Sequence, residues 1–141
     1  GLRLGYVIGS SKKLRRWKIN RDPWPLNSFA IRAGIELLSN KTFYKQWTNK
    51  IHNWISTEKK WIYYELSKVN NLKIYNSSTN FFLIKSKSSL SPNIKYLENK
   101  GILIRECSSF RFLNEKWARI SLQSSKNNKT LCKEIQNSFK K

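Results

Sequence analysis

Three arginines in this sequence lie where an anion could be bound. Arg3, Arg105 and Arg119 fall on predicted β-strands or at their ends. The guanidinium group is a planar fork that matches two oxygens of a carboxylate or a phosphate at once. The chain contains 20 lysines and only 8 arginines, so arginine at these positions favours anion recognition. From spacing alone, three ordinary surface arginines remain an equal alternative.

Alternation along the predicted strands separates these arginines from the apolar core. In the segment WARISL (117–122), the alanine, isoleucine and leucine point to one face, and the tryptophan, Arg119 and the serine point to the other. The apolar set should meet helices, which leaves Arg119 on the uncovered face. Arg105 ends the segment ILIR (102–105), and a loop of about 11 residues separates the two segments. The two guanidinium groups could therefore converge.

The first half of the chain reads as one strand, three helices and an extended segment. Pro23 and Pro25 interrupt helical structure and indicate the extended segment. Asn27 or Ser28 is a suitable cap for the helix that follows, and Asn40 for the longest helix. In chain order we predict a strand at 2–8, a helix at 10–18, the extended segment at 20–27, and helices at 29–38 and 41–68. The longest helix could join two domains.

From residue 72 onward, strands and helices alternate in a pattern typical of a small α/β domain. Ser91 as a cap, Pro92 and Gly101 delimit one helix. In chain order we predict strands at 72–75 and 80–85, a helix at 91–101, strands at 102–105 and 117–122, and a final helix within 126–141. Such an order builds two layers, with helices on one face of a mainly antiparallel sheet.

A net charge of +20 raises the hypothesis of a basic nucleic-acid-binding module. The six tryptophans could stack on bases. Most of them, however, fall at apolar positions of predicted helices, where core packing is expected. The lysines are spread along the chain without a basic block, and a lysine-rich proteome would produce the same composition. We therefore expect that nucleic acid is not the partner.

Metal binding and membrane insertion are not predicted. Cys107 and Cys132 are far apart, and His52 is the only histidine, so the spacing of a zinc site is lacking. No apolar run approaches the ~18 residues that cross a bilayer. Two cysteines without a disulfide framework fit a reducing, cytoplasmic setting.

Five segments, in the same order along the chain, resemble the fold-type I pyridoxal-phosphate enzymes of the class I/II aminotransferase superfamily. GLRLGY (1–6) is similar to the segment just after the cofactor lysine of that superfamily. The other four are PWPLNSFA, STNFFLIK, GILIRECSSF and WARISL. Within the superfamily, ILIRECSSF with its Cys107 most resembles the threonine-phosphate decarboxylases of cobalamin biosynthesis. The histidinol-phosphate aminotransferases are the alternative.

The resemblance implies a role for each of the three arginines. Arg3 would bind the phosphate of pyridoxal 5'-phosphate, and Arg119 would bind the substrate carboxylate. Arg105 would bind a second anion, the phosphate end of a phosphorylated amino acid. The loop from Cys107 to Lys116 departs from the family pattern, because it holds Phe-Arg-Phe where relatives often have glycine or proline.

The resemblance also implies an organisation for the whole protein. Residues 1–40 would be a remnant of the cofactor-binding large domain, 41–68 a linking helix and 69–141 the small C-terminal α/β domain. The Schiff-base lysine would precede Gly1, so we expect this chain alone to be inactive. The complete enzyme would be a lyase or aminotransferase and a homodimer.

Overall fold

The computed structural model describes residues 2–140. The helices are α1 (Ser11–Ile19), α2 (Ser28–Ser39), α3 (Lys41–Ser67), α4 (Ser91–Glu98) and α5 (Ser125–Ser138), and the strands are β1 (Leu72–Tyr75), β2 (Phe81–Ser86), β3 (Arg105–Glu106) and β4 (Trp117–Ser121). Two compact units divide within α3, between Lys50 and Ile51. The domain boundaries given above stay a prediction. Within the described part of the chain, no helix is both long and apolar enough to cross a membrane.

The unit that begins at Ile51 is built around one antiparallel sheet. Its strand order is β1-β2-β4-β3, and every neighbouring pair is antiparallel. One face of the sheet packs on the helices and forms the hydrophobic core. The side chains of this core include Ile62, Leu66, Phe82, Ile84, Leu97, Ala118, Ile120 and Ile135, each at most 2% exposed. The predicted two-layer α/β arrangement is confirmed.

The long helix α3 begins where the sequence predicts. The side-chain oxygen Oδ1 of Asn40 accepts a hydrogen bond from the backbone N–H of Phe43 at 2.9 Å. This bond satisfies one of the N–H groups that a helix start leaves without a partner. The helix then continues to Ser67, one residue short of the predicted end.

Gly101 ends the helical turn after α4, as predicted. Its φ of 71° lies in the left-handed region that glycine adopts without strain, and the N–H of Ile102 donates to the carbonyl of Leu97 at 2.9 Å. The predicted cap at Ser91 is wrong, because Ser91 is already the first helical residue. Its N–H donates instead to Oγ of Ser89, at 3.2 Å.

Two predicted strands differ from the structure. Residues 2–8 have no regular secondary structure, and Tyr6 and Ile8 are more than three-quarters exposed. The alternation there is that of a strand, but no neighbouring strand accepts its hydrogen bonds. The strand predicted at 102–105 is limited to Arg105–Glu106, because the N–H of Ile102 is used to close the preceding helix.

A buried polar network ties α5 to α3. The Glu58 carboxylate accepts hydrogen bonds from Oγ of Ser125 and from Nδ2 of Asn128, the latter at 2.7 Å. Asn128 also bonds both backbone groups of Gln123, at 2.9 Å each. Gln123 follows β4 closely, so this network fixes the end of the strand that carries Arg119.

The unit that ends at Lys50 contains α1, α2 and the start of α3. Oδ1 of Asn27 accepts the N–H of Ala30 at 2.8 Å, which confirms Asn27 as the cap of α2. Gly34, which has no Cβ, allows another segment to approach α2 closely. A Cβ added at Gly34 would lie 3.0 Å from Cδ2 of Leu4, so the segment before α1 packs over this glycine.

Candidate anion-binding site

Arg105 and Arg119 lie directly opposite each other on neighbouring strands. The register of the β3–β4 pair places the two residues as cross-strand partners. In an antiparallel pair, such partners have Cβ atoms about 4.5–5.5 Å apart on the same face. Arg105 is exposed and Arg119 half-buried, on the sheet face opposite the helices. The two side chains that the sequence singled out are therefore neighbours.

Aromatic rings and one hydroxyl position the two guanidinium groups. Cζ of Arg119 lies 5.1 Å from the centre of the Phe81 ring, and Cζ of Arg105 lies 5.6 Å from that of Phe110. Both contacts are within the range of cation–π attraction. Nη2 of Arg105 also donates a hydrogen bond to Oγ of Ser109 at 3.3 Å. These contacts restrain the two side chains without neutralising their charge.

No carboxylate of the described chain pairs with either arginine. Within residues 2–140 the ion pairs are Arg32–Glu36 and Lys68–Glu65. Like charges placed directly opposite on two strands destabilise the pairing. An anion bound between the two guanidinium groups would replace this repulsion by charge-assisted hydrogen bonds. The arrangement therefore suits a ligand with one or two oxyanion groups.

A hollow of about 380 Å³ adjoins Arg119. It is lined by Ser121 of β4, by Asn127 and Thr130 of α5, and by residues 101–104. It lies where residues 102–104 do not continue the sheet, and Leu103 there is 82% exposed. Hydroxyl and amide groups around one arginine can orient the polar end of a small molecule.

Cys107 lies beside the arginine pair, but it is not an activated thiol. The side chain is buried, and its Sγ donates to the carbonyl of Arg105 at 3.6 Å. Burial raises the pKa of the Cys107 thiol, and the nearby charges of Arg119 and Arg105 offset this only in part. The surroundings of Cys107 therefore disfavour the thiolate, which is the nucleophilic form.

Arg3 belongs to the unit that ends at Lys50. It is exposed, and its φ of 57° lies in the left-handed region. The preceding carbonyl, of Leu2, accepts a hydrogen bond from Nδ2 of Asn27 at 3.4 Å. This bond ties the segment that carries Arg3 to the start of α2.

The loop after β3 turns tightly and exposes aromatic side chains. The N–H of Phe110 donates to the carbonyl of Cys107, and the N–H of Leu113 donates to that of Phe110, at 3.0 and 3.1 Å. Phe112 has a φ of 70° and is 88% exposed, with Cζ of Arg111 4.8 Å from its ring.

Sequence reasoning missed the residues that support the arginines. Phe81 is one of them, although the alternation of FFLIK in β2 already places Phe81, Leu83 and Lys85 on one face. Phe110 follows from no periodic signal, because it lies in a loop. The expected core packing of the tryptophans is limited to Trp61, which is half-buried and packs against the core. The other five tryptophans are not in the buried core.

Comparison with known proteins decides the family. The Aminotransferase class I and II profile matches residues 1–135. The chain belongs to this family. This confirms the family predicted from the five sequence segments, including the two that carry Arg105 and Arg119.

Individual relatives include two kinds of enzyme. Over 138 residues the chain is 26% identical to the threonine-phosphate decarboxylase of Salmonella typhimurium. This match covers 97% of this chain and 37% of that protein. Over 125 residues it is 31% identical to the histidinol-phosphate aminotransferase of Caldanaerobacter subterraneus, covering 89% and 34%. The chain thus spans little more than a third of the length of these relatives.

A solved structure shows the same fold. The L-threonine-O-3-phosphate decarboxylase of Porphyromonas gingivalis matches 99% of this chain with a TM-score of 0.81 at 29% identity, and the match covers 42% of that protein. The chain therefore has the fold of a portion of the pyridoxal-phosphate transferases, as predicted.

The described residues fit a phosphate-bearing cofactor at one position. Arg3 offers an exposed guanidinium group that has no carboxylate partner among residues 2–140. Guanidinium groups bind phosphate oxygens two at a time. The donor set at Arg3 is thus compatible with the phosphate of pyridoxal 5'-phosphate.

Proposed function

We propose that this chain is the substrate-binding portion of a pyridoxal-phosphate-dependent enzyme that acts on a phosphorylated amino acid. The observation that carries the proposal is the cross-strand pair of Arg105 and Arg119, which lies on the open sheet face and has no ion pair with a carboxylate of the described chain. Membership of the aminotransferase class I and II family supports it. The first candidate substrate is threonine phosphate.

Each arginine has its own task in this proposal. Arg119 binds the α-carboxylate of the substrate, and the polar hollow beside it admits that end of the molecule. Arg105 binds the phosphate end, and Arg3 binds the cofactor phosphate. A substrate held at both ends cannot rotate freely, so the two guanidinium groups decide which bond at the α-carbon faces the cofactor.

The cofactor would supply the electronic part of the reaction. Pyridoxal phosphate, when bound, accepts the electron pair left by a bond that breaks at the α-carbon of an amino acid. The residues of this chain bind and orient the substrate. If they present the bond to the carboxylate, the reaction is a decarboxylation. If they present the Cα–H bond, it is a transamination.

The second candidate is a histidinol-phosphate-type aminotransferase. The 31% identity to such an enzyme favours it. The two candidates differ in charge, because threonine phosphate carries a carboxylate and a phosphate whereas histidinol phosphate carries only the phosphate. A pair of opposed arginines matches the doubly anionic substrate better, and this supports the decarboxylase.

Further properties of the complete protein belong to the same proposal. The chain covers 37% and 34% of the two relatives above, so catalysis is proposed for a longer protein that includes it. We propose for that protein a homodimer in the cytoplasm with a role in cobalamin biosynthesis. The decarboxylase would release carbon dioxide from threonine phosphate, and the aminotransferase would release a keto product.

The test is the binding of O-phospho-L-threonine to the chain by isothermal titration calorimetry. We expect Arg105→Gln and Arg119→Gln each to weaken binding at least about tenfold, because each removes charge-assisted hydrogen bonds. Arg111→Gln is the matched control. Arg111 is an exposed arginine of the loop between β3 and β4, and its side chain stacks on Phe112. Equal losses in all three variants would contradict the proposal. So would binding of histidinol phosphate at least as tight as that of threonine phosphate.

A further inference from the structure

A second pair of like charges lies opposite each other on the open sheet face. In the β1–β2 register, Lys73 is the cross-strand partner of Lys85, and Lys85 is in turn the partner of Trp117. Opposed like charges destabilise a strand pair. Residues that break such a local rule tend to serve function. The chain accepts this repulsion at Lys73 and Lys85 as it does at Arg105 and Arg119.

The lysine pair belongs to a hollow of about 540 Å³. Lys87 and Lys116 also line it, together with Asn71 and Asn114. No acidic side chain lines it among the described residues, and none of its four lysines forms an ion pair within residues 2–140. Four lysines thus line one concavity without a counter-charge from the described chain.

Aromatic rings hold two of these ammonium groups in place. Nζ of Lys73 lies 4.9 Å from the ring centre of Tyr75, and Nζ of Lys85 lies 4.9 Å from that of Trp117. The two rings contact each other with their centres 5.2 Å apart. Cation–π attraction therefore restrains both lysine side chains, so less side-chain entropy is lost when a ligand binds.

The backbone frame of the hollow is also fixed. The N–H of Ser86 donates to the carbonyl of Lys116 at 2.9 Å, and the N–H of Lys87 donates to that of Asn71 at 3.2 Å. These bonds join the end of β2 to the segments before β1 and β4. The backbone of Lys87 and of Lys116 is therefore held at the hollow by these hydrogen bonds.

We propose that this hollow, centred on Lys73 and Lys85, binds a small oxyanion with several negative charges, of the class of diphosphates and organic phosphates. Ammonium groups bind phosphate as point charges. A volume of about 540 Å³ suits a small molecule and not a polymer. The site lies on the same sheet face as the arginine pair, but no residue of the arginine pair lines it. It goes beyond the proposed function and does not depend on it.

The test is a calorimetric titration of the 141-residue chain with inorganic pyrophosphate at fixed ionic strength. We expect saturable binding of pyrophosphate, with one molecule in this hollow. The double variant Lys73→Gln/Lys85→Gln should weaken it at least about tenfold, since two charge-assisted contacts are lost. The charge-conserving variant Lys73→Arg/Lys85→Arg should retain most of the affinity. Circular dichroism of each variant establishes that the fold is kept.

One control separates this site from general attraction to a basic protein. Lys126→Gln removes an exposed lysine that does not line the hollow. This variant should change pyrophosphate binding by no more than about twofold, because an exposed charge outside the site is largely screened by salt. Loss of binding in this variant would overturn the proposal.

Two further outcomes would also overturn it. One is an unchanged affinity in Lys73→Gln/Lys85→Gln. The other is tighter binding of a single-stranded oligonucleotide than of pyrophosphate, with the same dependence on these lysines, which would show a nucleic-acid surface. If Arg105→Gln and Arg119→Gln lose O-phospho-L-threonine binding, and pyrophosphate binding still falls in Lys73→Gln/Lys85→Gln, both sites are supported independently.

Discussion

At the scale of single residues, Phe112 adopts a backbone conformation that L-amino acids rarely adopt. Its φ is 70°, and its ring is 88% exposed, so burial of the side chain does not compensate the strain. A left-handed conformation costs a residue with a Cβ roughly 1–2 kcal/mol. The strain therefore lies in the loop that follows the Arg105 strand.

Because of this strain, we expect glycine to be more stable than alanine at position 112, which is the reverse of their usual order. Phe112→Gly and Phe112→Ala both remove the ring, but only glycine relieves the steric clash. We expect Phe112→Gly to be more stable than Phe112→Ala by about 1 kcal/mol, measured by urea unfolding. At Phe110, where φ is not positive, the alanine variant should be the more stable of the two. An alanine variant that is more stable at both positions would show that residue 112 is unstrained.

The alternation of side chains along a strand predicts the position of Arg119 but not its pairing with Arg105. Alternation in WARISL alone places Arg119 opposite the core, because side chains of a strand alternate strictly between its faces. The exact partnership with Arg105 could not be predicted, because it depends on the register of a strand only two residues long. Phe110 and Ser109, which position Arg105, lie in an irregular loop and follow no period.

At the scale of elements, segments with one clear apolar face were predictable from the sequence. Segments whose local pattern is overridden by neighbouring structure were not. The long helix, the two central strands and α5 have one apolar face each, and the structure contains all of them. Residues 2–8 alternate like a strand, yet no partner strand pairs with them in the described chain. The segment 102–105 is reduced to its end because Ile102 completes the turn that ends with Gly101. Competition of this kind depends on neighbours that a local pattern does not contain.

The hydrogen bonds of Asn128 connect α5 to α3, so removing the amide of this one side chain should destabilise the fold strongly. Asn128→Ala would leave the buried Glu58 carboxylate and both backbone groups of Gln123 without their partner. We expect the free energy of unfolding to fall by about 2 kcal/mol or more, since buried groups lose hydrogen bonds. Urea unfolding, followed by circular dichroism, measures this loss.

Asn127 provides the control for this element. It lies beside Asn128 on α5, and its side chain is exposed. Asn127→Ala should change the free energy of unfolding by less than about 0.5 kcal/mol. Similar effects of the two substitutions would mean that the network does not hold α5 on α3.

At the scale of the whole molecule, the net charge of +20 is partly concentrated on one surface. The open sheet face carries two opposed cationic pairs, Arg105 with Arg119 and Lys73 with Lys85. Each has aromatic neighbours and lacks a carboxylate within the described chain. The composition alone suggested nucleic acid, but the family and the hollows of limited volume favour small anions. Composition could not distinguish these partners because it does not show where the charges lie.

The most direct test of the central claim combines arginine variants with ligands that lack one anionic end. O-Phosphoethanolamine has the phosphate without the carboxylate, and L-threonine has the carboxylate without the phosphate. Calorimetry of the chain and of Arg105→Gln and Arg119→Gln with both ligands and with O-phospho-L-threonine assigns each arginine to one end. We predict that Arg119→Gln weakens threonine binding and spares phosphoethanolamine, and that Arg105→Gln does the reverse. Identical losses for both ligands in both variants would contradict the account.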